Sequence, residues 1–515
     1  MPDAAPPGEE APKPPLPLTT LEISVTKETV VARIRLGDRE LNAVEGDVAL
    51  PERRRATIDL LAGLVREAMD FDPLSEENSL REDLYRNLLS LLGQELFDAL
   101  FTGDVRSRVV NELKQARLRE SRLRLRLSFD HARDSKWLAR LPWEYLHTPA
   151  ELKEFGGGSF LSTETELILS RRLEVGTREL GMHSAPIRVL LVCASPTAPT
   201  DEDPPLREVD PNPMRDALQR LAGPEKGYIE LATLVDENPP PPDQAPPDYQ
   251  WTATREAFGK VVKQFDPVLI HFMGHGRCSH QHGELAFSKT NGKPDWVTDR
   301  DFAWMSSQSE ALRAVFVQAC ESALPDFYVG FSGVAQQVAA QGIPAVVAMQ
   351  YRIAAPVADV FASAFYEALM RDEEAVDLAV KAGRDAIRSQ TGADESLSFG
   401  LPVLYLSEYT GIARQGTPTI RVRPASGRPR PWHGRCPHCR TAFQSGAKYC
   451  AHCGKQLPPY CGNCGEDVSP EAAYCTACGE SVTEPPPRKD TASETPSDTS
   501  VPSEVVQAFE GPGAL

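Results

Sequence analysis

The chain has 515 residues, a formal net charge of -18 and a hydrophobic content of 41%. At ~150 residues per domain this length predicts about three domains, and the apolar fraction is enough for ordinary globular cores. The acidic total argues against general nucleic-acid binding, and no apolar run approaches the ~20 residues a membrane helix needs.

Residues 1–17, MPDAAPPGEEAPKPPLP, have no basic start and no apolar core, so they do not read as a signal peptide. Their Pro-rich, acidic composition predicts disorder. Residues 18–180 form a first α+β region. LEISVTKETVVARIRL reads as strands joined by a turn, and the Leu-rich stretch from Arg53 to Ala116 has helical periodicity. RLRLRLSF, residues 122–129, alternates: Leu123, Leu125, Leu127 and Phe129 on one face, Arg122, Arg124 and Arg126 on the other. That pattern predicts a half-buried strand with a solvated arginine face.

Residues 185–410 read differently. IRVLLVCAS, IELATLV, PVLIHFMG, RAVFVQAC and IPAVVAM are apolar throughout and alternate with helical stretches such as PMRDALQRLAG, TREAFGKVVKQF and FSGVAQQVAAQG. Continuous apolar strands alternating with helices predict an α/β fold, a mostly parallel sheet sandwiched by helices. Ligands of such sheets bind beyond the carboxyl ends of the strands. PPPPDQAPP, residues 239–247, is expected to be a stiff exposed loop.

Two strands of this region end near reactive residues. PVLIHFMGHG places His275 just past one strand, between Gly274 and Gly276, and VFVQAC places Cys320 at the end of another. If the strands are neighbours, the two residues meet at one edge of the sheet. A thiol near pH 7 is mostly protonated, and a nearby imidazole activates it as a base and later protonates a leaving amine. Attack on a carbonyl develops an oxyanion, which main-chain N–H groups stabilise. The candidates are the N–H groups of Gly276 and Cys320. Cys193 is expected to be a small core residue, and His271 a buried, hydrogen-bonded one. Cys278, His280 and His282 have a spacing a metal ion accepts, and a hydrolase built on that metal is a competing reading; a loop beside the active site is preferred.

Gln-Ala-Cys at a strand end, with a His roughly 50 residues upstream, resembles the caspase pattern, although Glu321-Ser322 stands where caspases have Arg-Gly. HFMGHG, GELAF with VTDRDFA, QACESA and SGVAQQVAAQGIPAVVAMQ together resemble the CHAT family, caspase-like peptidases related to separase and common in bacteria. The resemblance covers roughly residues 185–410, and LPWEYLHTP, residues 141–149, is similar to a segment found before many CHAT domains. It implies His275 as general base and Cys320 as nucleophile of a cysteine endopeptidase acting on a specific protein partner, with regulation. By analogy with caspases, Gln318 and the segment Met349-Gln350-Tyr351-Arg352 would line the first substrate pocket. There Arg352 would select an acidic residue, whereas Asp295, Asp299 or Asp301 would favour a basic one. The alternative is a catalytically silent scaffold.

Residues 411–435 hold Arg414, Arg421, Arg423, Arg428, Arg430 and Arg435 and no acidic residue. They read as a solvated basic linker; contact with nucleic acid or an acidic surface is the alternative. CPHCRTAFQSGAKYCAHCG and CGNCGEDVSPEAAYCTACG, within residues 436–480, repeat one C-x2-C-x10-C-x2-C pattern. Cys436, Cys439, Cys450 and Cys453 form one four-thiolate set, and Cys461, Cys464, Cys475 and Cys478 another. Each suits a closed tetrahedral zinc site, so two structural zinc ions and a double zinc ribbon are expected. Glu466, Asp467 and Glu471 favour protein over nucleic acid as its partner. With neither a signal peptide nor a membrane helix read, a soluble cytoplasmic protein is expected, and in that reducing compartment the paired cysteines mean metal rather than disulfides. Residues 484–515 are Pro/Ser/Thr/Glu-rich and are expected to be a disordered tail.

Overall fold

A computed structural model describes residues 18–36, 39–69, 78–129, 136–152, 158–173, 175, 187–198, 200, 206–222, 229–236, 251–279, 282–321, 330–351, 353–371, 375–390, 395–407, 434–435 and 442–443. The chain divides into two units, Met1–Gly427 and Arg428–Leu515. In the second, β14 (Gly434–Arg435) and β15 (Ala442–Phe443) form an antiparallel pair.

The first unit opens with β1 (Leu18–Val25), β2 (Thr29–Leu36) and β3 (Arg39–Asp47), then α1 (Glu52–Met69), α2 (Asn78–Leu100), α3 (Gly103–Leu118), β4 (Arg122–Phe129), α4 (Lys136–Arg140) and β5 (Leu167–Leu173). The α/β part follows: β6 (Ile187–Cys193), α5 (Asn212–Ala222), β7 (Ile229–Val235), α6 (Arg255–Phe265), β8 (Leu269–Ser279), β9 (His282–Ser288), β10 (Pro294–Thr298), α7 (Asp299–Ser306), β11 (Ala314–Glu321), α8 (Gly330–Ala340), β12 (Ala345–Met349), α9 (Ala355–Arg371), α10 (Val376–Gln390) and β13 (Pro402–Ser407). Helix starts follow local chemistry: the side chains of Thr254 and Thr298 accept the amide protons of Ala257 and Asp301, both at 3.2 Å, and so cap α6 and α7.

All thirteen described strands of this unit join one sheet, in the order β10-β9-β8-β11-β12-β13-β5-β4-β1-β2-β3, with β7 and β6 branching off at β8. The pairs β6–β7, β6–β8, β8–β11, β11–β12, β13–β5, β5–β4 and β4–β1 are parallel. The strands of residues 18–180 and of residues 185–410 therefore share one sheet, joined where β13 meets β5.

Alternate residues of the apolar strands feed two cores. Leu190, Val192, Ile270, Phe272, Val315, Val317 and Ala319 pack against Phe258 of α6, Phe302 of α7 and Val334 of α8. Val189, Leu191, Cys193, Leu269, Met273 and Phe316 belong to the other core, with Leu218 of α5, Phe361 and Phe365 of α9 and Val380 of α10. The expected parallel sheet between helix layers is what forms.

Two local expectations are corrected. The arginine face of β4 is not solvated. Arg124 pairs with Asp377 of α10, with Nη2 at 3.1 Å from Oδ1, and Arg126 is buried. The reason is that this face is packed as well: α10 brings Asp377 onto it, 0% exposed, as the countercharge of Arg124. The second correction concerns His275, which lies within β8, not beyond it. β8 pairs with β6 through Met273, and from Gly276 to Ser279 it continues against β9. Gaining a hairpin partner carries the strand through Gly-His-Gly.

Candidate active site

β8 and β11 run side by side in parallel, and their register pairs Phe316 with His271, Gln318 with Met273 and Cys320 with His275. Neighbouring strands lie about 4.8 Å apart, so the two positions are adjacent at the carboxyl end of the sheet. Side chains alternate along a strand, and His275 shares the parity of Met273, whose side chain belongs to the core under α5 and α9.

His275 is 8% exposed, and its Nε2 lies 2.6 Å from the carbonyl oxygen of Arg207. A carbonyl oxygen only accepts, so Nε2 carries the proton, and in the neutral imidazole the lone pair is on Nδ1. Arg207 belongs to the segment between β6 and α5. The segment is held from below: Ser195 Oγ accepts the amide proton of Val209 at 2.9 Å, and Asp236 accepts that of Ser195 at 3.2 Å. Asp236 is fully buried and also receives the amides of Thr252 (2.8 Å) and Ala253 (3.0 Å), which satisfy its charge.

The segment is acidic. Burial first, then the charge of Asp210, raises the carboxyl of Asp359 in α9 to about 6. Burial, with Asp236, Asp210 and Glu208, pushes the Cys193 thiol far above its usual range. Cys193 is core, its Sγ donating to Val209 O at 3.6 Å.

His271 lies deeper on the same face. Its Nδ1 is 3.0 Å from Tyr366 Oη and its Nε2 is 3.2 Å from Gln318 Oε1, and its ring stacks on Phe316 with centroids 4.2 Å apart. Burial pushes its pKa down to about 3, so the imidazole is neutral. The amide oxygen of Gln318 accepts from Nε2, and Gln318 itself is 7% exposed. Gly276 is in register with Glu321 of β11 and with Leu285 of β9.

Of the acidic residues considered for a pocket, Asp299 is buried and accepts the amides of Arg300 (2.7 Å) and Gly283 (3.4 Å), while Asp301 pairs with Arg255 at 3.1 Å. Arg352, His280 and the eight ribbon cysteines lie outside the described residues, as do the side chains of Cys320, Cys278 and His282. Among the described residues no cluster of His, Cys, Asp or Glu forms a metal site. No described helix is long and apolar enough to cross a membrane.

The residues that sequence reasoning missed are Arg207, Ser195 and Asp236. A main-chain carbonyl leaves no signature in a sequence. Ser195 and Asp236 each stand within two residues of the end of an apolar strand, β6 or β7, and that position was their one legible signal.

These features define an α/β protein with a largely parallel, doubly covered sheet and adjacent histidine and cysteine positions at its carboxyl edge. The chain belongs to the CHAT family: the family model for the CHAT domain matches residues 90–434. Residues 436–479 match the double zinc ribbon, and their eight thiols are a donor set that fits zinc. No curated protein matches the chain. Among solved structures, two crystal structures of the Saccharomyces cerevisiae separase–securin complex align with TM-scores of 0.39 and 0.40 at 10% identity, covering 76% of this chain and 30% of the matched chain. The chain thus spans under a third of the length of those matched chains. A Ppx/GppA family member from Aquifex aeolicus aligns with a TM-score of 0.10 at 9% identity, over 76% of this chain and 94% of that one.

Proposed function

We propose that the chain is a caspase-like cysteine endopeptidase in which Cys320 is the nucleophile and His275 the general base. The observation that carries this reading is the register partnership of Cys320 with His275 on adjacent parallel strands. The proton position on His275 supports it, because the lone pair of Nδ1 is the atom that would take the thiol proton.

In this mechanism the Cys320 sulfur adds to the scissile carbonyl carbon as its proton passes to His275. The N–H groups of Gly276 and Cys320 donate to the oxyanion. Collapse breaks the C–N bond, and the imidazolium gives its proton to the leaving amine. Water, losing its proton to His275, then hydrolyses the thioester and frees Cys320. Gln318 and Arg352 are the proposed pocket residues. Glu208, Asp210 and Asp359 make the His275 side of the edge acidic, which favours a basic substrate residue there.

The ribbon residues would hold two structural zinc ions, and would engage a protein partner, either the substrate or a regulator. Reduced, metal-bound cysteines suit a cytoplasmic setting.

The test treats wild type, Cys320→Ala and His275→Ala with peptidyl acyloxymethyl ketones carrying Asp, Arg, Lys or Leu next to the ketone. Intact-mass analysis then counts adducts. A single adduct on wild type, absent from Cys320→Ala and slowed in His275→Ala, is expected, with the Arg or Lys probe fastest. Wild type unlabelled by every probe would sink the peptidase reading and leave a silent scaffold.

A further inference from the structure

The Trp-Glu-Tyr segment of LPWEYLHTP takes no part in the chemistry above. It folds as a short 3-10 turn, Trp143–Tyr145, with all three residues buried. Glu144 is a carboxylate with 0% exposure. Arg171 of β5, itself 3% exposed, donates Nε to Glu144 Oε1 at 3.0 Å and Nη2 to Oε2 at 2.5 Å. Other N–H groups go to the carbonyls of Ala139 (2.9 Å) and Leu141 (3.0 Å), and Nη2 also lies 3.4 Å from Gln350 Oε1. Arg384 of α10 approaches Glu144 to 4.0 Å.

A further donor to this carboxylate comes from the catalytic edge. Gln350 Nε2 lies 3.2 Å from Glu144 Oε2 and also reaches Gly400 O, while the Gln350 amide donates to Leu401 O at 2.9 Å. Gln350 is the first residue after β12. β12 pairs with β11 so that Ala348 faces Val317. The chain continuing from Ala348 through Gln350 to Tyr351 therefore leaves the sheet at the level of Cys320. An ion pair this deeply buried adds little net stability over an apolar packing. What it supplies is direction: the carboxylate fixes its hydrogen-bond donors in angle as well as distance.

We propose that Glu144 is a positioning residue. Through Gln350 it holds the segment beside Cys320 that forms a wall of the substrate site, so the Trp-Glu-Tyr turn governs how a peptide seats and not how the thiol reacts. This inference rests on the peptidase reading.

The test uses the full chain and the acyloxymethyl ketone that labels Cys320 fastest, with iodoacetamide as a small reagent that needs no wall. Peptide mass mapping assigns the alkylated cysteine. Gln350→Met keeps the length and loses the bonds to Glu144, Gly400 and Arg171 together. It is expected to raise the ketone concentration for half-maximal inactivation about tenfold, the scale of one hydrogen bond to a charged group. The limiting inactivation rate and the iodoacetamide rate at Cys320 should stay at wild-type values. The exchanged pair Glu144→Gln with Gln350→Glu restores half-maximal inactivation toward wild type if that bond is what matters. An unchanged half-maximal concentration in folded Gln350→Met overturns the proposal, and so does equal slowing of both reagents. Should the exchanged pair fail to fold, Glu144→Gln decides: it leaves the pocket residue Gln350 in place, and a half-maximal concentration unchanged from wild type in folded Glu144→Gln overturns the proposal. If wild type takes iodoacetamide at Cys320 but no ketone, the peptidase reading fails and this inference falls with it, a result told apart because the wild type itself is silent.

Discussion

Ser195 Oγ accepts the amide proton of Val209 at 2.9 Å, and this bond holds in place the segment whose Arg207 carbonyl receives His275 Nε2. His275 is thus oriented by a main-chain atom whose position depends on a side chain at the start of the same β6–α5 connection. Ser195→Ala removes the acceptor and leaves the Val209 N–H without it, at a cost of about 1–2 kcal/mol. If the carbonyl sets the ring, alkylation of Cys320 by the best ketone slows on the order of tenfold, part of what a positioned base supplies. Arg207→Ala keeps the carbonyl and should label within about twofold of wild type. Ser195→Ala labelling at the wild-type rate would show that the base needs no such hold.

Stability should depend on pH through His271. Burial lowers its folded pKa from 6.5 to about 3. The unfolded chain therefore binds a proton in this window that the folded chain refuses. The contribution is fully present above pH 6.5 and is lost as pH falls toward 3, with a limiting slope of about 1.4 kcal/mol per unit. His271→Gln retains hydrogen-bonding groups for Tyr366 and Gln318 but does not titrate. Urea midpoints between pH 7 and pH 5 should fall for wild type and fall less for His271→Gln. Parallel curves would mean that His271 is protonated in the fold.

The parallel core was legible because strands covered on both faces are apolar at nearly every position, and IRVLLVC, LIHFM and AVFVQA, with one polar residue each, have no polar alternation to confuse them with surface strands. Less legible was what covers a face. RLRLRL announces a polar side, yet alternation does not reveal that Asp377, far along the chain, supplies the countercharge. Periodicity likewise did not foresee β8 running on through Gly274 and Gly276, since that depends on a hairpin partner. Glu144 did leave a trace: an acid between Trp143 and Tyr145 in an apolar motif is either misplaced or paired. Its partners Arg171 and Gln350 lie on other elements, and distance along the chain hid them.

Two helical glycines should respond in opposite directions to alanine. At Gly63 in α1 an added Cβ meets nothing within 4 Å. Gly63→Ala should therefore stabilise by about 0.5–1 kcal/mol through helix propensity alone. At Gly93 in α2 the Cβ would sit 2.1 Å from the Tyr145 carbonyl and 2.7 Å from His147 Cβ. The obstacle is backbone, so α2 must move off the Trp-Glu-Tyr turn, and Gly93→Ala should destabilise by about 1–3 kcal/mol. Denaturant midpoints of the two variants decide it. A neutral Gly93→Ala would mean that α2 and the turn are not in contact in solution.

The ribbon offers a test independent of the peptidase chemistry. A segment the length of residues 436–479 buries too little apolar surface to fold alone, so metal binding must supply much of its folding free energy. Four thiolates would close each proposed site and leave no position for a reactant. Elemental analysis of the purified chain should return two zinc ions per chain, and Cys450→Ser or Cys475→Ser should each lose one. A strong chelator should then expose the ribbon to limited proteolysis while ketone labelling of Cys320 continues at its original rate. One zinc per chain would remove the paired-site assignment. Loss of labelling with the zinc would instead make the ribbon a condition of activity, and its metal content a control on the peptidase.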